Sequence, residues 1–145
     1  MEKFNFRLEK VLEYREKIED LNKAEFGKAK KKLDDEMNVF EEILLHKDNV
    51  IFNRENILSN ATINDLKNYN QYLIRVKEKL DNQKEVVEKA QDRVEKARKI
   101  LLNSTIEKKT LENLKDRDFN NYLYYMKKED EKIIDQIVSF KSSMK

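Results

Sequence analysis

"SNATIND", residues 59–65, interrupts a chain that is otherwise rich in lysine, glutamate, leucine and isoleucine. Thr62 and Asp65 have the three-residue spacing of a helix N-cap followed by an acidic residue in the first turn. Asn60 suits the end of a preceding helix, because asparagine tolerates the left-handed conformation better than most residues do. The stretch therefore predicts that one helix ends near Leu58 and that a second helix begins near Thr62.

A heptad pattern follows this stretch. Apolar residues recur every seven positions at Leu66, Leu73, Leu80, Val87, Val94 and Leu101. The residues between them complete alternating steps of three and four: Tyr69, Val76, Gln83, Ala90 and Ala97. Gln83 is the one polar member, and charged residues fill most of the remaining positions. Such a pattern is typical of a coiled-coil helix and indicates no chemistry.

A second apolar stripe precedes the polar stretch. Its members are Phe26, Ala29, Leu33, Met37, Phe40, Leu44 and Ile51, and Lys47 is a polar position within it. An earlier stripe has a slightly different phase: Leu8, Val11, Leu12, Tyr14, Ile18 and Leu21. We therefore expect a phase slip near Gly27, where glycine weakens a helix by about 1 kcal/mol relative to alanine.

Two stripes joined by a short polar connection predict two antiparallel helices that pack on each other. The expected fold is all-α, a long antiparallel two-helix coiled-coil hairpin with a C-terminal helical overhang. Residues 1–145 form a single domain in this interpretation, with helix 1 over about 5–58, a turn at 59–62 and helix 2 over about 62–140. Each stripe supplies the other's partner, so the isolated chain is expected to be a monomer. A single continuous helix that dimerises with a second copy is the alternative.

The composition of the chain limits the classes of protein to which it can belong. Charged residues make up 41% and hydrophobic residues 39%, too few apolar residues for a compact globule but enough for a narrow coiled-coil seam. The apolar residues are regularly spaced, which argues against disorder. A net charge of +2 argues against nucleic acid as a partner. Because we find no signal peptide and no apolar span, we expect a soluble cytoplasmic protein.

The C-terminal part of the chain carries apolar residues beyond the expected hairpin. With a turn at residue 60 and a constant helix rise, pairing joins residues whose numbers add to about 120. Leu8 then lies opposite Glu112, and residues beyond about 117 have no hairpin partner. The apolar side of this overhang is formed by Phe119, Tyr122, Tyr125, Met126, Ile133, Ile137 and Phe140. We interpret it as a site for another protein; a segment that folds back or frays is the alternative.

Motifs that would support catalysis or metal binding are weak. His46 is the only histidine and the chain has no cysteine, which argues against a zinc or catalytic site. The acidic cluster at 34–36 lacks the alternating oxygen ligands of a calcium loop. The basic run at 28–32 is followed at once by these acids, and no phosphate-binding glycine loop is present. The sequence predicts no enzyme activity, no metal and no cofactor.

The order of three segments resembles the FliJ family of flagellar export proteins. The first, "FNFRLEKVLEYREKIED" at 4–20, has aromatics at alternate positions followed by a leucine-rich segment: Phe4, Phe6, Leu8, Val11, Leu12, Tyr14, Arg15 and Glu16. The second is "NYNQYLIRVKEKL" at 68–80, with Asn68, Tyr69, Gln71 and Tyr72. The third, "KKTLENLKDRDFNNYLYYMKKEDEKIIDQI" at 108–137, is similar to the C-terminal segment of the family. Together they cover almost the whole chain.

The resemblance implies a long antiparallel coiled coil, similar to the central stalk of rotary ATPases, with no catalytic residues of its own. Such proteins bind the hexameric flagellar export ATPase through their paired termini, engage the cytoplasmic domain of the export gate and escort empty export chaperones. Location in the cytoplasm, peripherally associated with the inner face of the cell membrane through the export apparatus, is also implied.

The expected contact residues follow from this resemblance and from the hairpin. The ATPase-binding residues would be Phe4, Phe6, Leu8, Phe119, Tyr122, Tyr125 and Met126, with Arg117, Lys127 and Lys128 orienting the contact. The positions that match the gate-binding face of the family are Tyr72, Val76, Lys79 and Gln83; Lys79 and Gln83 are more polar than the family pattern, and Val76 and Gln83 are also heptad positions. A structural coiled-coil spacer or tether unrelated to secretion is the alternative function, although a spacer has no use for exposed tyrosine and isoleucine at one end.

Overall fold

The computed structural model describes residues 3–54, 56 and 59–144, and it contains two long helices. Helix α1 is Glu9–Phe52 and helix α2 is Ile63–Ser143. No strand is present among these described residues, and side chains of the two helices contact each other along their lengths. The prediction of an all-α helical hairpin is therefore confirmed.

The start of α2 is fixed by a reciprocal capping box, as the sequence predicts. The backbone N–H of Asp65 donates to the Thr62 hydroxyl at 3.3 Å, and the backbone N–H of Thr62 donates to the Asp65 carboxylate at 3.1 Å. The expectation for Asn60 is wrong, because no non-glycine residue in the described ranges has a positive φ. Helix α1 ends at Phe52, while the expected end at Leu58 lies outside the described residues.

The predicted heptad seam of α2 is confirmed. Tyr69, Val76 and Ala90 are buried, while Leu73, Leu80, Gln83, Val87, Val94, Ala97 and Leu101 are half-buried. Leu66, the first predicted member, is exposed at the beginning of the helix. The same three- and four-residue steps continue beyond Leu101 through shielded positions at Ser104, Lys108, Leu111, Lys115, Asp118 and Tyr122. One face of α2 thus packs on α1 from the turn to the region of the N-terminus.

The seam of α1 differs in part from the predicted stripe. Phe26, Ala29, Leu33 and Phe40 are half-buried as expected, but Met37, Leu44 and Ile51 are exposed beside the seam. Their places are taken by the preceding residues Glu36, Ile43 and Val50. A one-residue error of this kind arises because neighbouring heptad positions both lie close to the helix contact.

The phase slip expected at Gly27 is wrong. Shielded positions recur at steps of three and four from Leu12 through Arg15, Glu19 and Asn22 to Phe26, and the spacing continues to Val50. The earlier prediction followed exposed apolar residues such as Tyr14 and Leu21 and missed the polar residues that belong to the seam. One heptad register therefore runs through all of α1.

Replacing Gly27 with alanine is expected to stabilise the fold by about 1 kcal/mol. Gly27 lies inside a continuous helix without a positive φ, and a Cβ atom built there meets no other atom within 4 Å. The gain would come from the smaller backbone entropy of alanine in the unfolded chain. Urea denaturation followed by circular dichroism measures it, and a loss of stability would show that this position needs glycine.

The contacts within the chain form two compact units. The central unit is Asn22–Leu101, and the terminal unit combines Met1–Leu21 with Leu102–Lys145. In the central unit, Gln83 contacts Glu36 and the Tyr69 hydroxyl donates to the carbonyl of Val50 at 3.3 Å. The residue numbers of each pair add to 119, so the predicted pairing around residue 60 is confirmed.

The polar seam residue Gln83 is satisfied inside the central unit. Its side-chain amide donates to the carbonyl oxygen of Glu36 at 2.9 Å and to the Glu36 carboxylate at 2.6 Å. Lys32 forms an ion pair with the same carboxylate at 2.9 Å. The hydrogen bond from Gln83, followed by the one from Lys32, lowers the pKa of Glu36 below its ordinary value.

Replacing Glu36 with glutamine is expected to destabilise the protein at neutral pH and to have little effect in acid. The pKa of Glu36 is lowered in the folded state, so the stabilisation that its carboxylate gives the fold is fully present at pH values above the ordinary glutamate pKa. This stabilisation is lost as the pH falls through the lowered pKa of the folded state. Urea unfolding of both proteins at pH 7 and at about pH 3 measures this change. If the difference in unfolding free energy between the two proteins were the same at both pH values, the ionised carboxylate of Glu36 would not be the source of the stabilisation.

Candidate docking surface

The N-terminal segment packs on α2 in a non-helical conformation. Residues 3–6 precede the first turn, and the backbone N–H of Glu9 donates to the carbonyl of Phe6 at 3.2 Å. The Phe4 ring lies edge-on to Phe119, with centroids 5.2 Å apart, and 5.5 Å from the ring of Tyr122. The predicted proximity of the N-terminus to the beginning of the overhang is confirmed.

This segment also changes where the unpaired part of α2 begins. We expected helix 1 to start near residue 5 and α2 to lack a partner beyond about residue 117. The non-helical residues before α1 lie against α2 beyond residue 117, as the contact of Phe4 with Phe119 shows. Phe6 is buried, and Phe119 and Tyr122 contact Phe4. The expectation that these two aromatics lack an intramolecular partner is therefore wrong.

Ion pairs fix the first part of α1 to α2 in the terminal unit. Glu9 pairs with Lys115 at 2.8 Å, Glu19 pairs with Lys108 at 2.9 Å, and Arg15 donates to the carboxylate of Glu107. Glu19 is only 2% exposed. The seam here is therefore charged, and a pattern of apolar stripes does not reveal these residues.

These ion pairs shift the pKa values of two lysines. The hydrogen bond from Lys108 to Glu19 raises the pKa of Lys108, and the hydrogen bond from Lys115 to Glu9 raises the pKa of Lys115. Because both pKa values are raised, the stabilisation that these ion pairs give the fold is fully present at pH values below the ordinary lysine pKa. It is lost as the pH rises through the higher pKa values of the folded state. We therefore expect these two ion pairs to persist at neutral pH and to weaken only in strong alkali.

The last part of α2 has an exposed apolar side. All residues of 127–144 are exposed, including six large apolar residues. We call this set the C-terminal stripe; it consists of Ile133, Ile134, Ile137, Val138, Phe140 and Met144. Such a concentration of apolar side chains on one helix end is typical of a protein interaction surface.

The tyrosines next to the C-terminal stripe differ in their surroundings. Tyr125 is 67% exposed, whereas Met126 is half-buried. The Tyr124 ring lies 4.9 Å from the ammonium group of Lys128 and edge-on to Tyr125. Lys3, Phe4, Asp118, Tyr122 and Tyr125 are among the residues that line a groove. The terminal unit thus brings Phe4, Phe119, Tyr122 and Tyr125 close together, and their role in ATPase binding stays a prediction.

The residues assigned to gate binding divide into two classes. Val76 is 5% exposed, and Gln83 is bonded to Glu36, so both face the seam of the central unit. Tyr72 and Lys79 are exposed. They line a groove together with residues of α1, including Glu42, Ile43 and His46.

His46 has a role in this groove that sequence reasoning did not find. Its Nε2 atom is hydrogen-bonded to the Tyr72 hydroxyl, and the two rings meet edge to face with centroids 5.9 Å apart. The sequence could have indicated this contact, because paired residues of the hairpin have numbers that add to about 120 and those of His46 and Tyr72 add to 118. His46 therefore orients an exposed tyrosine.

Within 3–54, 56 and 59–144, no group of three or more histidine, cysteine, aspartate or glutamate residues is arranged to hold a metal ion. No helix in the described part of the chain has the length and hydrophobicity needed to span a membrane.

The terminal unit is a pair of helices that presents exposed aromatic and apolar side chains, a combination typical of coiled coils that bind other proteins. A family model described as "Flagellar FliJ protein" matches residues 4–145, nearly the whole chain. This chain belongs to the FliJ family, a non-catalytic flagellar family with a role in flagellar export. Searches of curated proteins and of solved structures found no significant match.

Proposed function

We propose that this chain is a non-enzymatic coiled-coil stalk and adaptor of the flagellar export apparatus. In this role it binds the ring of the hexameric export ATPase and couples it to the cytoplasmic domain of the export gate and to export chaperones. The observation that carries the proposal is the combination, in one unit, of the Phe4–Phe119–Tyr122 cluster with the exposed C-terminal stripe. Family membership supports the assignment to export.

The ATPase contact is proposed to use the exposed members of this surface. Tyr125 and the C-terminal stripe would supply apolar anchors, since buried aromatic residues dominate the energetics of protein interfaces. Phe119 is 42% exposed and would add to these anchors, whereas the buried Phe6 and the half-buried Phe4 and Tyr122 would support the surface. Lys127 and Lys128 are exposed and would orient the contact towards acidic loops.

The gate contact is proposed to involve Tyr72 and Lys79 in the central unit. Both are exposed, whereas Val76 and Gln83 would support them from the seam. The protein would act in the cytoplasm, peripherally associated with the inner face of the cell membrane through the export apparatus. A spacer unrelated to secretion is less favoured, because it would leave the C-terminal stripe without a use.

Replacing Tyr122 and Tyr125 together with alanine is expected to weaken ATPase binding at least tenfold, which is about 1.4 kcal/mol. Tyr125 would lose a direct contact, and Tyr122 would lose its packing beneath Phe4. A pull-down with the purified export ATPase over a concentration series measures the change. The single change Tyr14→Ala is the control, because Tyr14 is an exposed tyrosine outside the proposed docking surface, and we expect it to leave binding unchanged. Unchanged binding by the double variant would argue against this docking surface.

A further inference from the structure

The two units of the hairpin are held together by different chemistry. In the central unit, the shielded positions of α2 from 69 to 101 are apolar except at Gln83. In the terminal unit, most of the shielded α2 positions on this seam are polar: Ser104, Lys108, Lys115 and Asp118, with Leu111 and Tyr122 as apolar members. Of the shielded α1 positions in this unit, Glu9, Arg15 and Glu19 are charged, Leu12 and Ile18 are apolar, and Phe6 is buried ahead of the helix. A larger share of the shielded seam positions of α2 is therefore polar in the terminal unit than in the central unit.

The ion pairs of the terminal unit do little to offset its smaller share of apolar seam positions. The side chains of Arg15 and Glu107 are 36% and 51% exposed, and those of Lys115 and Glu9 are similarly accessible. Exposed pairs contribute little and are screened by salt. The buried carboxylate of Glu19 needs its bond to Lys108 to offset the loss of hydration.

We propose that residues 3–21 form a salt-sensitive clasp that detaches from α2 while the central unit stays paired. Local opening of weakly held segments, with free energies far below that of global unfolding, is a general property of proteins. The clasp would be held by its ion pairs and by the Phe4 contact with Phe119 and Tyr122.

Opening of the clasp has a defined structural consequence. Phe119, Tyr122, Met126, Ile133, Ile137 and Phe140 are separated by three, four, seven, four and three residues, so they lie on one side of α2. Phe4 of the clasp contacts the first two, of which Tyr122 is half-buried and Phe119 is 42% exposed, and the C-terminal stripe begins beyond Met126. Detachment would therefore expose the parts of Phe119 and Tyr122 that Phe4 contacts, on the same side of α2 as members of the C-terminal stripe.

Thiol labelling of two single-cysteine variants tests the clasp, since the natural chain has no cysteine. Ser104→Cys reports on the terminal unit and Ala90→Cys on the central unit; both positions are 5% exposed. Each labelling rate is divided by that of the same thiol in the urea-unfolded protein at the same salt concentration. We expect the normalised rate at position 104 to exceed that at position 90 at least tenfold, and to rise several-fold between 50 and 500 mM NaCl.

Equal normalised rates at the two positions, or a rate at position 104 that salt does not change, would overturn the proposal. Hydrogen exchange of the unmodified chain provides a second measurement that needs no substitution. Amides of residues 12–21 are expected to exchange faster than those of residues 26–50 in the same helix, and only the first group is expected to respond to salt. Uniform protection along α1 would also overturn the clasp. Neither measurement depends on the proposed function.

Discussion

Replacing Val76 with aspartate is expected to destabilise the hairpin by roughly 3–5 kcal/mol, the range for an uncompensated buried charge. Val76 is 5% exposed in the apolar seam of the central unit, where a carboxylate would lose its hydration. A domain has only about 5–15 kcal/mol of stability, so much of the helix signal would be lost near room temperature. Urea denaturation followed by circular dichroism measures the effect.

Val86 offers a matched control for this prediction. It is the same residue type in the same helix, but it is 39% exposed, so Val86→Asp introduces the same charge where water can reach it. We expect a change within about 0.5 kcal/mol of the unmodified protein. Equal losses at Val76 and Val86 would show that the seam does not run where the burial pattern places it.

Removing residues 127–145 is expected to weaken ATPase binding at least a hundredfold, about 2.8 kcal/mol, while the hairpin remains folded. The described residues of this segment, 127–144, are all exposed, so their removal leaves the seam and the Phe4 cluster in place. The loss would follow from removal of the C-terminal stripe, the largest set of apolar anchors in the proposed contact. Surface binding assays with the purified export ATPase measure it, and circular dichroism confirms the helix.

The control for the truncation changes the polar side of the same segment. Gln136 and Ser139 are exposed residues between members of the C-terminal stripe, and their joint replacement with alanine preserves the stripe. We expect this variant to bind as tightly as the unmodified chain. If the truncated protein keeps both its helix content and its affinity, the docking surface lies elsewhere.

The turn and the seam of α2 are predicted well because each has a local signal. The Thr62–Asp65 pair is a capping box that involves only residues three apart. The α2 seam is strictly periodic over five heptads, and its register follows from the residue types alone. The pairing of the helices then follows from the position of the turn, as the contact between Gln83 and Glu36 shows.

The seam of α1 and the terminal unit are predicted less well, for physical reasons. Glu36 and Glu19 belong to the seam although they are charged, because Gln83 and Lys108 are placed to bond them. Such partners are far apart in sequence, so no local pattern reveals them. The alternation of Phe4 and Phe6 has a period of two, which suits an extended segment better than the helix start that we expected.

The direct test of the central claim is titration calorimetry of the full chain with the purified export ATPase of the same flagellar system. We expect saturable binding by the unmodified chain and loss of the binding heat when Ile137 and Phe140 are both replaced by aspartate. Both residues are exposed, so the variant is expected to remain helical. A folded full-length chain that gives no binding heat and no capture by the ATPase, or a double variant that binds as tightly as the natural chain, would contradict the claim that the C-terminal stripe docks on the ATPase.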